Sequence, residues 1–353
     1  MDTVVLYRRN EEKMSGLPMK IDVLMKKSGV PFGTSGVRGL VSDMTDRVCY
    51  AYTLGFLAFI KRTLPESPKR VAVAGDLRSS TPRILRAVRR AIEDAGMLPV
   101  DCGFIPTPAL SLYGFTNAIP SIMVTGSHIP DDRNGMKFNR PDGEILKEDE
   151  ELIRQQEITI PHDLFGPEGM LKPEFFPSQT VSDDGGAKRM YTDRYLKAFP
   201  DKPLAGVRIG LFEHSAVGRD VIFELLTALG AQTTSLGRSE HFLAIDTEAV
   251  RAEDIGQAKR WAAGNCAIDG MACDPANPPF DVIFSTDGDS DRPLLFDEVG
   301  RLVRGDVLGV LCARFLDADC IVTPVNSNTM LERSAWFGKR HTIRTKIGSP
   351  YVV

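Results

Sequence analysis

Three times along the chain an apolar strand and a helix alternate around a turn, and this alternation limits the fold more than any other feature. Val71-Ala-Val-Ala74 ends at Gly75, Pro82 opens a helical stretch to Ala95-Gly96, and Leu98–Val100 and Ile122–Val124 follow as strands. The pattern restarts at Val207–Phe212, with a helix through Val221 to Leu229 and a stop at Gly230. It restarts again with a helix from Asp306 to Phe315, a strand Cys320–Thr323 and a helix from Met330 to Phe337. Strands alternating with helices predict consecutive α/β units built around parallel strands. The expected divisions are residues 1–189, 190–297 and 298–353. The Pro-, Gly- and acid-rich stretch Pro161–Gly186 reads as an excursion and linker. The chain ends at Tyr351-Val-Val353, the start of another apolar run, which predicts a third unit that stops within a strand. No internal sequence repeat is visible.

The formal charge is −4, so no basic excess is available to neutralise many phosphates of a nucleic acid. The longest apolar run, Ala51–Ile60, is too short to span a bilayer, which takes ~20 residues. The N-terminus, with Arg8, Arg9, Glu11 and Glu12, lacks the apolar core of a signal peptide. The cysteines at 49, 102, 266, 273, 312 and 320 form no CxxC pair. They read as reduced, mostly buried thiols of a cytoplasmic protein. The arginines Arg83, Arg86, Arg89 and Arg90 read as a solvated helix face.

Chemistry concentrates at strand ends. After Val282-Ile-Phe284 come Asp287, Asp289 and Asp291, alternating with small residues. Three carboxylates with no His or Cys suit a hard cation such as Mg²⁺. An EF-hand is excluded because its sixth position needs Gly and here is Arg292, and because a strand precedes the loop. Met123-Val-Thr-Gly-Ser-His-Ile-Pro130 places Ser127 beyond a strand's carboxyl end, where α/β sheets present ligands. It lacks a G-x-S-x-G elbow, and His128 is the very next residue, so a conventional hydrolase triad does not fit. Asn134-Gly-Met-Lys137 follows closely enough to return an ammonium to this loop. Phe32-Gly-Thr-Ser-Gly-Val-Arg-Gly39 reads as an anion-friendly turn, not a Walker loop. Gly75-Asp-Leu-Arg78-Ser-Ser-Thr-Pro82 reads mainly as a helix start, with Ser80 or Thr81 as N-cap and Pro82 at the first position. A nucleotide-binding dehydrogenase is disfavoured, since no G-x-G-x-x-G opens a helix.

In combination these motifs resemble those of the α-D-phosphohexomutase family, whose members include phosphomannomutases, phosphoglucomutases and phosphoglucosamine mutases. Thr34-Ser-Gly-Val-Arg38 matches the family's T-S-G-x-R. Thr125–Pro130 matches its phosphoserine loop, with Ile129 in place of the usual Asn. Asn134–Lys137 matches N-G-x-K, and Asp287–Arg292 matches D-G-D-x-D-R. The resemblance runs from about Gly33 to the end of the chain. It implies mixed-sheet α/β domains of which the third is incomplete and the fourth absent, because the family's sugar-recognition loop follows the region of Thr345–Ser349. It also implies an intramolecular phosphotransferase that interconverts hexose 6-phosphate and hexose 1-phosphate through a hexose 1,6-bisphosphate. Ser127 would carry the phosphoryl group. Asp287, Asp289, Asp291 and an oxygen on Ser127 would hold Mg²⁺. Arg38, Lys137 and Arg292 would stabilise charge or move protons, and His128 would assist or orient the loop. Thr345, Lys346 and Gly348 would line the sugar-phosphate side. Mannose phosphate is the expected substrate, with glucose and glucosamine phosphates as alternatives. A Mg²⁺-dependent phosphatase and a non-catalytic binding module are the competing functions.

Overall fold

The computed structural model describes residues 16, 18–33, 36–264, 279–336, 341–348 and 351–352. It divides into two compact units, residues 1–194 and 195–353. The expected positions Thr34, Ser35, Cys266, Cys273, Phe337 and Ser349, and the N-terminal charges, lie outside the described residues.

The first unit contains strands β1 (Pro18–Lys20), β2 (Gly36–Leu40), β3 (Arg70–Gly75), β4 (Leu98–Phe104), β5 (Ser121–Val124), β6 (Arg133–Arg140), β7 (Gly143–Glu144), β8 (Glu157–Thr159) and β9 (Val181–Ser182). Its helices are α1 (Ile21–Ser28), α2 (Asp46–Thr63), α3 (Thr81–Asp94), α4 (Thr107–Thr116), α5 (Lys147–Arg154) and α6 (Gly186–Ala198), the last of which runs past the division. The main sheet has the order β2-β6-β5-β3-β4-β9. β5, β3, β4 and β9 are parallel, while β6 runs antiparallel to both its neighbours, β5 and β2. The mixed α/β architecture agrees with expectation.

Burial explains these elements. The apolar run Ala51–Ile60 lies inside α2, whose Tyr52, Phe56, Phe59 and Ile60 are buried, with Phe56 stacked on Phe138 of β6 at 4.8 Å. On α3, Ile84, Leu85, Val88, Ala91 and Ile92 recur at helical spacing and are buried. The opposite, arginine-bearing face is not simply solvated. Arg83 pairs with Asp46 at 2.6 Å, Arg89 with Asp101 at 2.6 Å, and Arg86 lies over the Phe176 ring. The stretch 161–186 is likewise not a free linker. Leu164 and Leu171 enter the first core, Leu171 N–H donates to Asp46, and Val181–Ser182 joins the sheet. Apolar residues spaced along a Pro-rich stretch anchored it, and composition alone hid them.

The second unit contains β10 (Arg208–Phe212), β11 (Gln232–Leu236), β12 (Val282–Thr286), β13 (Pro293–Asp297), β14 (Leu302–Val303), β15 (Cys320–Pro324) and β16 (His341–Thr345). Its further helices are α7 (Arg219–Ala228), α8 (Ala252–Ala262), α9 (Gly305–Phe315) and α10 (Met330–Arg333). One sheet has the order β11-β10-β12-β13-β14, and β15 pairs with β16 separately. α10 is shorter than its sequence predicts. The Ser334 hydroxyl accepts from Trp336 N–H, a local bond that competes with helix continuation. Tyr351 and Val352 lie in a turn, with Tyr351 N–H bonded to Gly348 O, not in a strand. Of the described cysteines, Cys49 and Cys102 are buried but Cys312 and Cys320 are exposed. Burial pushes the Cys49 thiol up to about 12, which keeps it a thiol. Among the described residues no helix is long and apolar enough to cross a membrane.

Candidate functional site

In the first unit the chain leaves β3, passes through α3 to β4 on one side, and returns through α4 to β5 on the other side of β3. That reversal is a topological switch point, where the carboxyl ends of β3 and β5 open a crevice for ligands. Ser127 is in the loop after β5. Its φ of 55° is left-handed, unusual for a residue with a Cβ. Its Oγ lies 3.2 Å from His128 Nδ1, so adjacency in sequence does not prevent the two side chains from sharing a proton. Ser127 N–H donates to Thr125 Oγ1 at 2.8 Å. The residue is 1% exposed.

Arg38 and Lys137 are strand residues, not loop residues. In the β2–β6 ladder Arg38 is opposite Gly135 and Gly36 is opposite Lys137. Paired residues and alternate residues share a face, so the register puts Arg38 and Lys137 on one face, diagonally related. Val37, Met136 and Val124 take the other face, into the core. Part of the expected anion-binding turn is therefore β2. Gly36 is required because its backbone abuts Met136 O, leaving no room for a Cβ. Lys147 Nζ donates to Gly33 O at 2.8 Å, beside the start of the same segment.

The Gly75–Pro82 segment does more than start α3. Ser80 is at the N-cap but makes no side-chain capping bond. Its hydroxyl accepts from Asn134 Nδ2 at 2.8 Å, and Thr81 Oγ1 donates to Asp76 at 2.7 Å. Asp76 and Arg78, read from sequence only as part of a helix start, form a fully buried ion pair at 3.1 Å. Their order Asp-x-Arg directly after a strand was the available signal.

The second unit repeats this path. β10 leads through α7 to β11 on one side, then through α8 to β12 on the other. The loop after β12 holds Asp287, Asp289 and Asp291, each offering a carboxylate oxygen within 4.8 Å of the others. Asp287 and Asp289 are buried and Asp291 is exposed. Asp287 Oδ1 accepts from Asp291 N–H and Arg292 N–H, both at 3.2 Å, which curls the loop around that carboxylate. Ser290, at φ 59°, accepts from Gly218 N–H at 3.0 Å and from Thr286 Oγ1 at 2.9 Å. Beneath lies His214, fully buried, whose Nε2 donates to Thr286 O at 2.8 Å. Burial lowers its imidazole to about 4, so it is neutral there. Sequence reading missed it because nothing local marks a histidine that reaches across two strands. A set of three carboxylate oxygens, two of them buried, fits a hard divalent cation and suits no soft metal.

Arg292 is tied to Glu248 at 2.8 Å and lies 3.8 Å from Asp291. Thr345 ends β16, Lys346 is exposed with its ammonium 5.6 Å from the Tyr351 ring centre, and Gly348 has φ 131°.

Comparisons with known proteins agree with both units. Residues 29–160 match the family described as phosphoglucomutase/phosphomannomutase, alpha/beta/alpha domain I. A phosphomannomutase of Salmonella muenchen is 43% identical over 330 residues, covering 94% of this chain and 63% of that protein. A phosphoglucosamine mutase of Listeria welshimeri is 30% identical over 340 residues, covering 92% of this chain and 69% of that one. Among solved structures, a putative phosphomannomutase from Thermus thermophilus superposes with a TM-score of 0.70 at 19% identity, covering 91% of this chain and 70% of that one. The chain belongs to the α-D-phosphohexomutase family. It spans just under two thirds of the length of the phosphomannomutase it matches.

Proposed function

We propose that this chain takes part in phosphohexomutase chemistry, interconverting hexose 6-phosphate and hexose 1-phosphate, with Ser127 as the phosphoryl carrier. The observation that carries the reading is Ser127 itself, at the switch point, in a left-handed conformation and with its hydroxyl 3.2 Å from His128. In the first half-reaction the P–Oγ bond of phosphorylated Ser127 breaks and a P–O bond forms to a hexose monophosphate hydroxyl, whose proton passes to the departing Ser127 oxygen. In the second, Ser127 Oγ attacks the other phosphate of the bisphosphate, the P–O bond to the sugar breaks, and the proton that His128 Nδ1 takes from the serine hydroxyl is returned to the departing sugar oxygen, leaving a hexose monophosphate. Arg38 and Lys137, on one sheet face, offset the phosphoryl charge. Asp287, Asp289 and Asp291 would hold Mg²⁺, which when bound neutralises charge developing on transferring phosphoryl oxygens. Arg292, held by Glu248, braces that loop from outside. Thr345, Lys346 and Gly348 are assigned to the sugar-phosphate side.

Mannose phosphate is the favoured substrate. The phosphomannomutase relative is 43% identical, against 30% for the phosphoglucosamine mutase. Turnover of mannose, glucose and glucosamine 1-phosphates, each primed with its 1,6-bisphosphate, tests this. The highest kcat/KM is expected for mannose. Release of inorganic phosphate without any 6-phosphate product would replace the mutase by a phosphatase. Higher kcat/KM for another sugar would overturn the mannose assignment.

A further inference from the structure

We propose that Arg78 is the positioning residue of the Ser127 loop, fixing the serine hydroxyl through the backbone that carries it. The proposal rests on the reading of Ser127 as carrier. Arg78 and Asp76 sit in the loop after β3, on the other side of the switch point from Ser127. All five guanidinium N–H donors are engaged. Nε donates to Asp76 Oδ2 at 3.1 Å. Nη1 donates to the carbonyls of Pro130 and Arg133, at 2.6 and 3.0 Å. Nη2 donates to the carbonyls of Ser127 and Ile129, at 2.9 and 2.6 Å. One side chain thus gathers four carbonyls from the segment 127–133.

The same ion pair holds the other side of Ser127. Thr125 Oγ1 accepts from Ser127 N–H and donates to Asp76 Oδ2 at 2.7 Å. Ser127 N–H is therefore tied to Asp76 through one hydroxyl, and Ser127 C=O is tied to Arg78 directly. A left-handed serine persists only where its surroundings over-determine it, and these bonds do so. The approach is close: a Cβ on Gly126 would lie 2.7 Å from Arg78 Cζ.

Stability alone does not account for the pair. Both side chains are 0% exposed, and a well-packed apolar pair is generally at least as stabilising as a buried ion pair. An apolar replacement, however, would remove a donor from each of the four inward carbonyls. Lysine would keep the charge opposite Asp76 but supply three donors from one nitrogen, without the planar fork.

The test is Arg78→Lys in the full chain, read in two ways. With ³²P-labelled glucose 1,6-bisphosphate as probe, label transfer to Ser127 should slow about 100-fold, the scale of a small misplacement of reacting groups. The half-saturating probe concentration should stay unchanged, because the Arg78 side chain is fully buried. By hydrogen–deuterium exchange, amides of 126–133 should exchange on the order of 10-fold faster while those of β3 and β5 keep their protection. A loop whose exchange is unchanged, or a loosened loop that still takes label at the wild-type rate, overturns the positioning role. If the lysine variant does not fold, Gly126→Ala pushes on the same guanidinium from the loop side and should show the same two signatures. Wild-type protein that takes no label contradicts the carrier reading alone, since the exchange result still decides whether Arg78 holds the loop.

Discussion

In the first unit the loop after the third parallel strand is gripped by a buried cation. In the second, the elements behind the loop in the corresponding place meet it through neutral groups, while Arg292 on the loop itself reaches Glu248. Arg78 meets the Ser127 loop through four carbonyls. The aspartate loop is met by Gly218 N–H on Ser290, Val217 N–H on Gly288 O, and His214 Nε2–H on Thr286 O. Electrostatics account for the difference. A loop that presents a hydroxyl to an anionic phosphoryl group tolerates a fixed positive charge behind it. A loop whose carboxylates gather to bind a cation would lose affinity to one, and a histidine kept neutral by burial avoids that competition.

The largest effect that sharpens the comparison is at Asp289. Asp289→Ala removes one of three oxygen donors, and calorimetry should show Mg²⁺ affinity reduced at least ~100-fold. Without metal the variant should be no less stable than the parent, because a buried carboxylate close to two others is itself costly. Unchanged Mg²⁺ affinity would remove the cation site.

A smaller effect follows from His214. Its folded value, about 4, lies below the ordinary 6.5, with burial as the main cause, Thr286 O and Asp254 opposing, and Arg219 assisting. Below pH 6.5 the unfolded chain binds a proton that the folded chain refuses. The stability it contributes is therefore complete above 6.5 and is lost as pH falls toward 4, to a limit of about 3 kcal/mol. Both tryptophans, Trp261 and Trp336, belong to the second unit. Urea unfolding followed by their fluorescence should show this pH dependence, and His214→Gln should flatten it. A profile that the substitution leaves unchanged would break the claim that a neutral imidazole supports the aspartate loop.

What the sequence made legible was local. Strand–turn–helix restarts, the alternating aspartates and the Ser127 segment each announce themselves within ten residues or so, and the structure places them as strand ends and loops. What it concealed depends on pairing across the sheet. Gly36–Leu40 looks like part of a glycine-rich turn until it lies against Arg133–Arg140 as β2 beside β6. Arg78 looks like helix-start punctuation because the carbonyls it gathers are 49 to 55 residues away. The shared path of the two units is invisible to residue matching because strand order, not residue identity, repeats.

Ser127 carries the central claim, and phosphate incorporation tests it most directly. Wild-type protein incubated with labelled hexose 1,6-bisphosphate and Mg²⁺ should acquire label that peptide mass analysis places on Ser127. Ser127→Ala should acquire none while retaining at least weak Mg²⁺ binding by calorimetry, since the three carboxylates are intact. A Ser127→Ala protein labelled to the wild-type extent would contradict the account and move the carrier elsewhere, with Ser35 the first position to examine.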